Sequence, residues 1–560
     1  MNYKKYISEK INVEGITSLE IEDSIILPPD TSLGDFSLPC FKFAKILRLP
    51  PAKIAENLAQ SFKVDEVISK VTPVNGYLNF TVNRTGLAVD TLKAILSLGE
   101  KYGSSNLGEG KTVVIDYSSI NIAKPFHIGH LSTTVIGGAL YRIYKFLGYN
   151  VVGVNHLGDY GTQFGKLIYA YKKWGNEKAV SEGRIRELTR LYVKYHEEAE
   201  NNPSMDDEAR SYFKKIENGD EECLKLFNWF KELTLIDVER VYKELDVTFD
   251  SYNGESFYND KMQPVIDELY NKGLLVESDG AKIVNLEEYG MSPCLILRSD
   301  GASLYATRDL AAAIYRKNTY DFYKCLYVVA YQQNLHFKQF FKVLELMGKP
   351  WAKDMEHVAF GMVSLEEGTM STRKGNVVLL EDVILRCKEK AYAVINEKNP
   401  NLEDKEEIAS MVGTGAVIFG ALSSSRIKDI VFSYDKVLNF DGETGPYCQY
   451  TYARCNSLLS KGGEIGNYTI TSLNDDEYNL INELQKFPSV VYSAHEKYEP
   501  SMITRYAVDL CEAYNKFYFE CKIIGEEENV KNYRLALTKA TKITLKNALS
   551  LLGIKTPKRM

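Results

Sequence analysis

Two histidines three residues apart, His127 and His130, enclose Ile128 and Gly129 where an apolar run passes through a loop into a helical pattern. That spacing at a helix N-terminus turns both imidazoles to one side, where backbone N–H groups and the helix dipole already favour an anion. Imidazoles so placed can hydrogen-bond a phosphate as it becomes pentavalent, and Gly129 removes a side chain where a purine could lie against the backbone. A zinc pair is the competing reading, but no third His, Cys or carboxylate follows at close spacing. A second candidate lies at 368–376, GTMSTRKGN, a small-residue loop carrying Met370, Ser371, Arg373 and Lys374. Basic groups on a closing loop neutralise a departing pyrophosphate, which helps most in the transition state. Alone such a loop reads as an exposed turn; beside the histidines it reads as the second half of an ATP site.

The elements that must position these groups follow from periodicity. TVVIDYS is rich in β-branched residues and suits a buried strand. It is followed by the loop SINIAKPFHIGH, the helical stretch LSTTVIGGALYRIYKFLG and the strand NVVGVNHLG, one βαβ unit of a Rossmann-type parallel sheet. The first hundred residues read as a small mixed α/β unit, with the helix LPPAKIAENLAQSF and the strand GYLNFTVN, joined onward by the Gly/Ser-rich KYGSSNLGEGK. Residues 181–245 are amphipathic and helical, with Ile185, Leu188, Tyr192 and Tyr195 on one face and Cys223, Phe227, Phe230 and Leu233 on another, and read as an insertion between core strands. The sheet pattern resumes at CLYVVAY, 325–331. Beyond about residue 385 the helical period dominates, as at Ile503, Tyr506, Leu510, Tyr514 and Phe517. The fold class expected is α/β, in three domains: a small α/β domain at 1–108, a Rossmann-type catalytic domain with a helical insertion at 109–384, and an all-α bundle at 385–560.

Composition narrows the function classes. The 560 residues exceed what one core organises. With 45% hydrophobic residues, the chain has no run of roughly 18 apolar residues that would suit a membrane span, and its first residues lack an apolar signal core, so the cytoplasm is the expected compartment. The nine cysteines form no CxxC pair and read as reduced packing residues. A net charge of −7 argues against coating nucleic acid through bulk charge, leaving local patches. One such patch is Lys531, Arg534, Lys539, Lys542, Lys546, Lys555, Lys558 and Arg559, with no acidic residue from 531 onward; a solvated helix face is the alternative.

At this point the chain resembles a known family. The His-Ile-Gly-His string with a KMSKS-like loop is similar to the signature of class I aminoacyl-tRNA synthetases, and the finer resemblance is to the arginyl-tRNA synthetases. It is carried by IDYSSINIAKPFHIGHLSTTVIGG, VNHLGDYGTQFG, LYATRDLAAA, YVVAYQQNLHFKQFF, GMVS, MSTRKG and TGPYCQYTYAR in the family's order, with LGDFSLPCFKFAKIL near the start and LLGIKTPKRM at the end. Two departures stand out. The loop reads Thr369-Met370-Ser371-Thr372-Arg373, without either lysine of the general class I motif; in arginyl enzymes a lysine just before the histidines supplies the missing charge, and Lys124 holds that place. Ile120 also replaces a proline common before Asn121.

The resemblance implies ATP-dependent activation of L-arginine and transfer to the 3′-terminal adenosine of its tRNA, with Mg2+ accompanying ATP, tRNA needed even for activation, no structural metal, and a monomer. It implies catalytic roles for Lys124, His127, His130, Arg373 and Lys374, and ATP contacts from His127, Gly129, His130, Met370 and Ser371. Arginine falls to Asp116, which stands where a glutamate is common, and to Asn121, Tyr305, Asp309 and Gln333. Carboxylates suit this substrate because a guanidinium asks for forked acceptors that a lysine analogue cannot satisfy. For tRNA it implies Tyr447, Tyr450, Arg454 and Met560, with Tyr77 and Asn79 in the N-terminal domain; Tyr at helical spacing is otherwise core packing. Two alternatives remain: a class I ligase for another amino acid, which would lack acidic pocket residues, and a catalytically silent tRNA-binding paralogue.

Overall fold

The computed structural model describes residues 3–28, 33–122, 124–299, 305–365 and 378–560; Met370, Ser371, Arg373 and Lys374 lie outside the described residues. Its packing forms two compact units, one of 1–102, 458–486 and 512–544, the other of 103–457, 487–511 and 545–560.

In the first unit, strands β1 (Phe36–Pro39), β2 (Ile68–Val74) and β3 (Tyr77–Val82) make an antiparallel sheet in the order β1-β3-β2. Asn75 and Gly76 close the β2–β3 hairpin with φ of 50° and 86°, the left-handed backbone that two-residue hairpin turns demand. A Cβ at Gly76 would also press on Phe41 and Pro51. Pro51 opens the helix Pro51–Ser61, where its missing N–H costs nothing. Glu477 is buried here and holds two groups of the 531–560 stretch, accepting from Tyr533 Oη at 2.5 Å and Arg534 Nε at 2.7 Å. Arg534, expected as part of a basic face, therefore turns inward, its side chain 13% exposed.

The second unit is built on a parallel sheet in the order β10-β9-β4-β5, where β4 is Thr112–Asp116, β5 Asn150–Val154, β9 Lys324–Tyr327 and β10 Met355–His357. Strand β4 lies inside the sheet with Val113, Val114 and Ile115 fully buried, which is why TVVI reads as a continuous apolar run. The chain leaves β4 toward β5 on one side and returns as β9 on the other. Such a switch point leaves a crevice beyond the strands' C-terminal ends, where α/β sheets bind ligands. The expected strand at 325–331 ends at Tyr327, because the backbone beyond serves the crevice: the Val328 N–H donates to Asp116 O at 2.8 Å, and the Thr133 hydroxyl to Val328 O at 2.7 Å.

The insertion forms helices Glu177–Asn201, Ser204–Glu217 and Glu221–Glu244, burying Ile185, Leu188, Tyr195, Cys223, Phe227, Phe230 and Leu233, with Tyr192 half-buried. Two features were not legible in the sequence. Strands β6 (Leu275–Ser278), β7 (Ala281–Val284) and β8 (Cys294–Leu297) form a small antiparallel sheet, and β11 (Val363–Leu365) pairs in parallel with β12 (Ile430–Phe432). Three or four residues per strand are too few for an alternation to register. All nine cysteines are buried and none is bonded to another.

Candidate active site

The histidines sit where the sheet hands over to the helix Leu131–Phe146, in a 3-10 turn Ile128–His130 that leads into it. His127 caps the turn: its Nδ1 accepts the Gly129 N–H at 3.1 Å, which leaves the proton on Nε2. His130 Nδ1 lies 3.3 Å from both the N and the O of His127, and the two ring centroids are 4.0 Å apart. The turn is pinned from below, with Thr134 Oγ1 donating to His130 O at 2.7 Å and Thr133 Oγ1 accepting the Ser118 N–H at 2.9 Å. Burial pushes the His127 pKa down to about 4, helped by the positive charge of Lys124. Burial likewise lowers His130 to about 3, with His127 and Lys124 acting the same way. Both imidazoles are neutral at pH 7, so they offer N–H donors to a phosphate without carrying a charge into the crevice.

The Met370–Lys374 segment is outside the described residues, but its C-terminal flank reaches this turn: Ile128 N–H donates to Val378 O at 3.2 Å, and Leu380 N–H to Phe126 O at 2.9 Å. Asn121, exposed, lies against Gly158; the Gly158 N–H donates to Ile120 O at 2.8 Å and the Ile122 N–H to Gly158 O at 3.1 Å. A Cβ at 158 would stand 2.4 Å from Asn121 Oδ1, so any larger residue would push that side chain from its place.

Across the crevice stands an acidic group. Asp309 lies one turn into the helix Tyr305–Tyr320, on the same face as Tyr305, which is 68% exposed at the helix start. Thr307, between them, is fully buried and donates to Ile296 O of β8 at 2.6 Å, fixing the helix. Asp309 Oδ2 is 2.6 Å from His336 Nε2, and Oδ1 is 4.0 Å from His156 Nε2. Burial alone would raise the Asp309 carboxyl; the hydrogen bond and charge of His336, with His156 and Arg316, hold it below the usual range. Gln333 ends the 3-10 turn Tyr331–Gln333, exposed, three residues before His336.

Asp116, the last residue of β4, is not open to a ligand. It is 5% exposed, its Oδ1 accepts the Ser119 hydroxyl at 2.6 Å, and its Oδ2 lies 2.7 Å from Arg316 Nη2 in an ion pair whose angles fall short of a hydrogen bond. A third carboxylate, Glu255, lies 3.9 Å from Arg308 Nη1. Burial raises its pKa to about 7, against the pull of Arg308 and with the push of Asp309 and Asp159. Fully buried Asp159 anchors its segment by accepting from the Ser256 N–H at 2.9 Å and hydroxyl at 2.8 Å.

His156, Glu255, Arg308, Arg316 and His336 escaped the sequence reading. One signal was available: the chain has only seven histidines, and His127, His130, His156 and His336 all fall in the blocks that carry the family resemblance. Among the described residues, no group of three or more His, Cys, Asp or Glu side chains is gathered closely enough to hold a metal ion.

The remaining expected residues lie elsewhere. On the helix Gly445–Gly462, Tyr450 is 42% exposed with the Arg454 guanidinium over its ring at 5.0 Å, while Tyr447 is half-buried. The final residues run beside this helix: Gln449 Nε2 donates to Lys555 O at 2.7 Å and Asn456 Nδ2 to Lys558 O at 3.0 Å, leaving Met560 half-exposed. On β3, Tyr77 is exposed and packs edge-on against exposed Phe41 at 5.2 Å. Asn79 is 4% exposed, so the surface it was expected to offer falls to that aromatic pair.

Comparison with known proteins gives three matching family models: "Arginyl tRNA synthetase N terminal domain" over residues 1–82, "tRNA synthetases class I (R), catalytic domain" over 91–434 and "DALR anticodon binding domain" over 448–560. The Arginine--tRNA ligase of Alkaliphilus metalliredigens is 52% identical, with 100% of each chain covered. That of Clostridioides difficile is 53% identical, with 98% of each covered. The solved arginyl-tRNA synthetase of Thermus thermophilus superposes with a TM-score of 0.84 at 26% identity, covering 96% of each chain.

Proposed function

This chain belongs to the arginyl-tRNA synthetases of class I, ATP-dependent ligases that join arginine to its tRNA, and on that premise we propose how its crevice divides the work. His127 and His130 donate N–H groups to the α-phosphate of ATP, and Gly129 leaves room for the adenine. Lys124, with Arg373 and Lys374, neutralises the departing pyrophosphate, while Met370 and Ser371 complete the nucleotide contacts. Mg2+, a hard cation that prefers oxygen ligands, would be held by the triphosphate oxygens and would help neutralise their charge.

At the other end Asp309 takes the substrate's guanidinium in a forked contact, Tyr305 flanks it, and Asn121 and Gln333 hold the amino and carboxylate ends. Asp116, tied to Arg316, shapes the floor beneath. The arginine carboxylate attacks the α-phosphorus in line as pyrophosphate leaves, and a ribose hydroxyl of the terminal adenosine, the 2′-hydroxyl by class, then displaces AMP. The chain contributes position and fixed electrostatics. Tyr450 and Arg454 offer a stacking surface to unpaired bases, with Tyr447 and Met560 beside it, and Tyr77 with Phe41 offers a second. We assign these roles to three domains, 1–108, 109–384 and 385–560, in a monomer acting in the cytoplasm.

The observation that carries this reading is the placement, in one switch-point crevice, of two neutral imidazoles at a helix start and a histidine-held carboxylate. The test is exchange of labelled pyrophosphate into ATP with each of the twenty amino acids, with and without tRNA, using Lys124→Ala as control. Exchange confined to arginine, dependent on tRNA and lost in the variant, is expected; exchange with lysine or another amino acid would overturn the pocket assignment.

A further inference from the structure

Among the described residues, Asp116, Glu255 and Asp309 at the amino-acid end of the crevice each already face a cationic side chain of the chain itself. Asp116 has Arg316 at 2.7 Å, Glu255 has Arg308 at 3.9 Å, and Asp309 has His336 at 2.6 Å. An incoming guanidinium that forks across both oxygens of one of them competes with the resident partner, which must give way or share. The two arginines cannot give way. Their side chains are 1% and 7% exposed, a guanidinium keeps its charge at any physiological pH, and displacing one would strand a buried charge. His336 differs in both respects: its side chain is 24% exposed, and an imidazole can surrender its charge by losing a proton.

We propose that His336 is a positioning residue for substrate capture: its imidazolium holds Asp309 before arginine binds, standing in for the substrate's guanidinium, and hands the carboxylate over with release of one proton to solvent. This rests on the reading of Asp309 as the guanidinium acceptor. Charge balances across the exchange. An imidazolium–carboxylate pair plus a free guanidinium becomes a guanidinium–carboxylate pair plus a neutral imidazole and a proton. The carboxylate is thereby kept ionised, oriented and paired, so the site carries no uncompensated, partly buried anion while it waits.

The surroundings agree. Burial works against the charged form of His336, but the Asp309 hydrogen bond and charge outweigh it and the pKa is raised. On its own helix, Asn334–Leu346, the ring stacks on Phe340 at 6.1 Å and meets Phe337 edge-on. From the helix Tyr305–Tyr320 come Asp309 and the charge of Arg316; from the loop after β5 comes His156, kept neutral by burial. From β8 comes Cys294, its thiol pushed up to about 12 by burial and by Asp309. From β10 comes His357, lowered by burial, with Arg426 and His336 adding to the effect. Glu255, raised to about 7, can also exchange a proton nearby. Of the three described carboxylates, Asp116 and Glu255 pair with arginines and Asp309 with a cation that can discharge near neutral pH.

The experiment is calorimetric titration of the full-length chain with L-arginine at pH 6, 7 and 8, in buffers of low and high ionisation heat, to count protons released. It is run on the wild type, His336→Gln, Glu255→Gln and Asp309→Asn. Proton release at pH 6 that fades by pH 8 is expected in the wild type and in Glu255→Gln, and none in His336→Gln. In charging assays the wild-type KM for arginine should rise roughly tenfold per pH unit below the His336 pKa, a slope His336→Gln flattens. Should His336→Gln fail to fold, the wild-type proton count still decides: no release at pH 6 sinks the proposal. Equal release in His336→Gln, or its loss in Glu255→Gln alone, also overturns it. Asp309→Asn separates the two levels: unchanged affinity there would refute the pocket reading itself, whereas lost affinity with no wild-type proton release would refute only the role of His336.

Discussion

The two ends of the crevice use the same side chain in opposite ways. At the nucleotide end His127 and His130 face each other and Lys124, and burial drives their pKa values down to about 4 and about 3. At the amino-acid end His336 faces Asp309 and its pKa is raised. On the proposed reading, a polyanion approaches the first end, where neutral N–H donors bind without a permanent ion pair and can follow the phosphate as charge redistributes, and a cation approaches the second, where an anion must be ready and is stored beside a removable partner. The lesson is that a histidine's role is set by the sign of its nearest charged neighbour, weighed against a burial cost both ends share.

That contrast can be broken at several points. The largest effect concerns the permanent pair beneath the amino-acid end: Arg316→Met leaves Asp116 buried without its cation and should cost about 3–5 kcal/mol of stability, read from urea unfolding. A loss under about 1 kcal/mol would mean that Asp116 is not held as described, and would return it to the pool of carboxylates open to substrate. Next, His130→Ala removes a neutral donor and should lower kcat about 10²- to 10³-fold while leaving the KM for arginine near wild type. A rise in that KM of similar size would erase the division between the ends. Third, Tyr450→Ala lies outside both; losing one stacking surface of about 1–3 kcal/mol should raise the KM for tRNA and spare arginine binding.

The smallest effect is the most diagnostic, because its sign differs between the ends. A lowered pKa at His127 means stability that is full above about pH 6.5 and lost as pH falls toward about 4, so His127→Gln should flatten the acid limb of the stability curve. The raised pKa at His336 means stability that is full below about pH 6.5 and lost as pH rises through its higher folded value. His336→Gln should therefore weaken the protein at pH 6 and hardly at all at pH 9. Unfolding midpoints at pH 5, 6, 7 and 9 test it, and slopes of the same sign in both variants would contradict the contrast.

Much of this was legible in the chain. TVVID announced a strand buried on both faces, LPPAKIAENLAQSF a helix, and the His127–His130 spacing a turn leading into a helix; each depends on neighbours within a few positions. The small β6–β8 sheet was not legible, because its alternation is too short, and the last residues of CLYVVAY left the ladder to serve the crevice loops. Asp116 was readable as a carboxylate at a strand end, but its partner, Arg316, is 200 positions away in sequence. The inward turn of Arg534 is of the same kind: a basic stretch is visible in the letters, whereas Glu477 beneath it is brought there by the fold.

The sequence by itself determined the family, the α/β catalytic core and the identity of the chemical groups, because local periodicity and short motifs encode elements and the residues they carry. Tertiary structure alone decided which groups carry charge and which are free to meet a substrate. Protonation and pairing depend on burial and on charges a few ångströms away in space, and those distances are set by the packing of β4, β9 and the helices Tyr305–Tyr320 and Asn334–Leu346, not by separation along the chain.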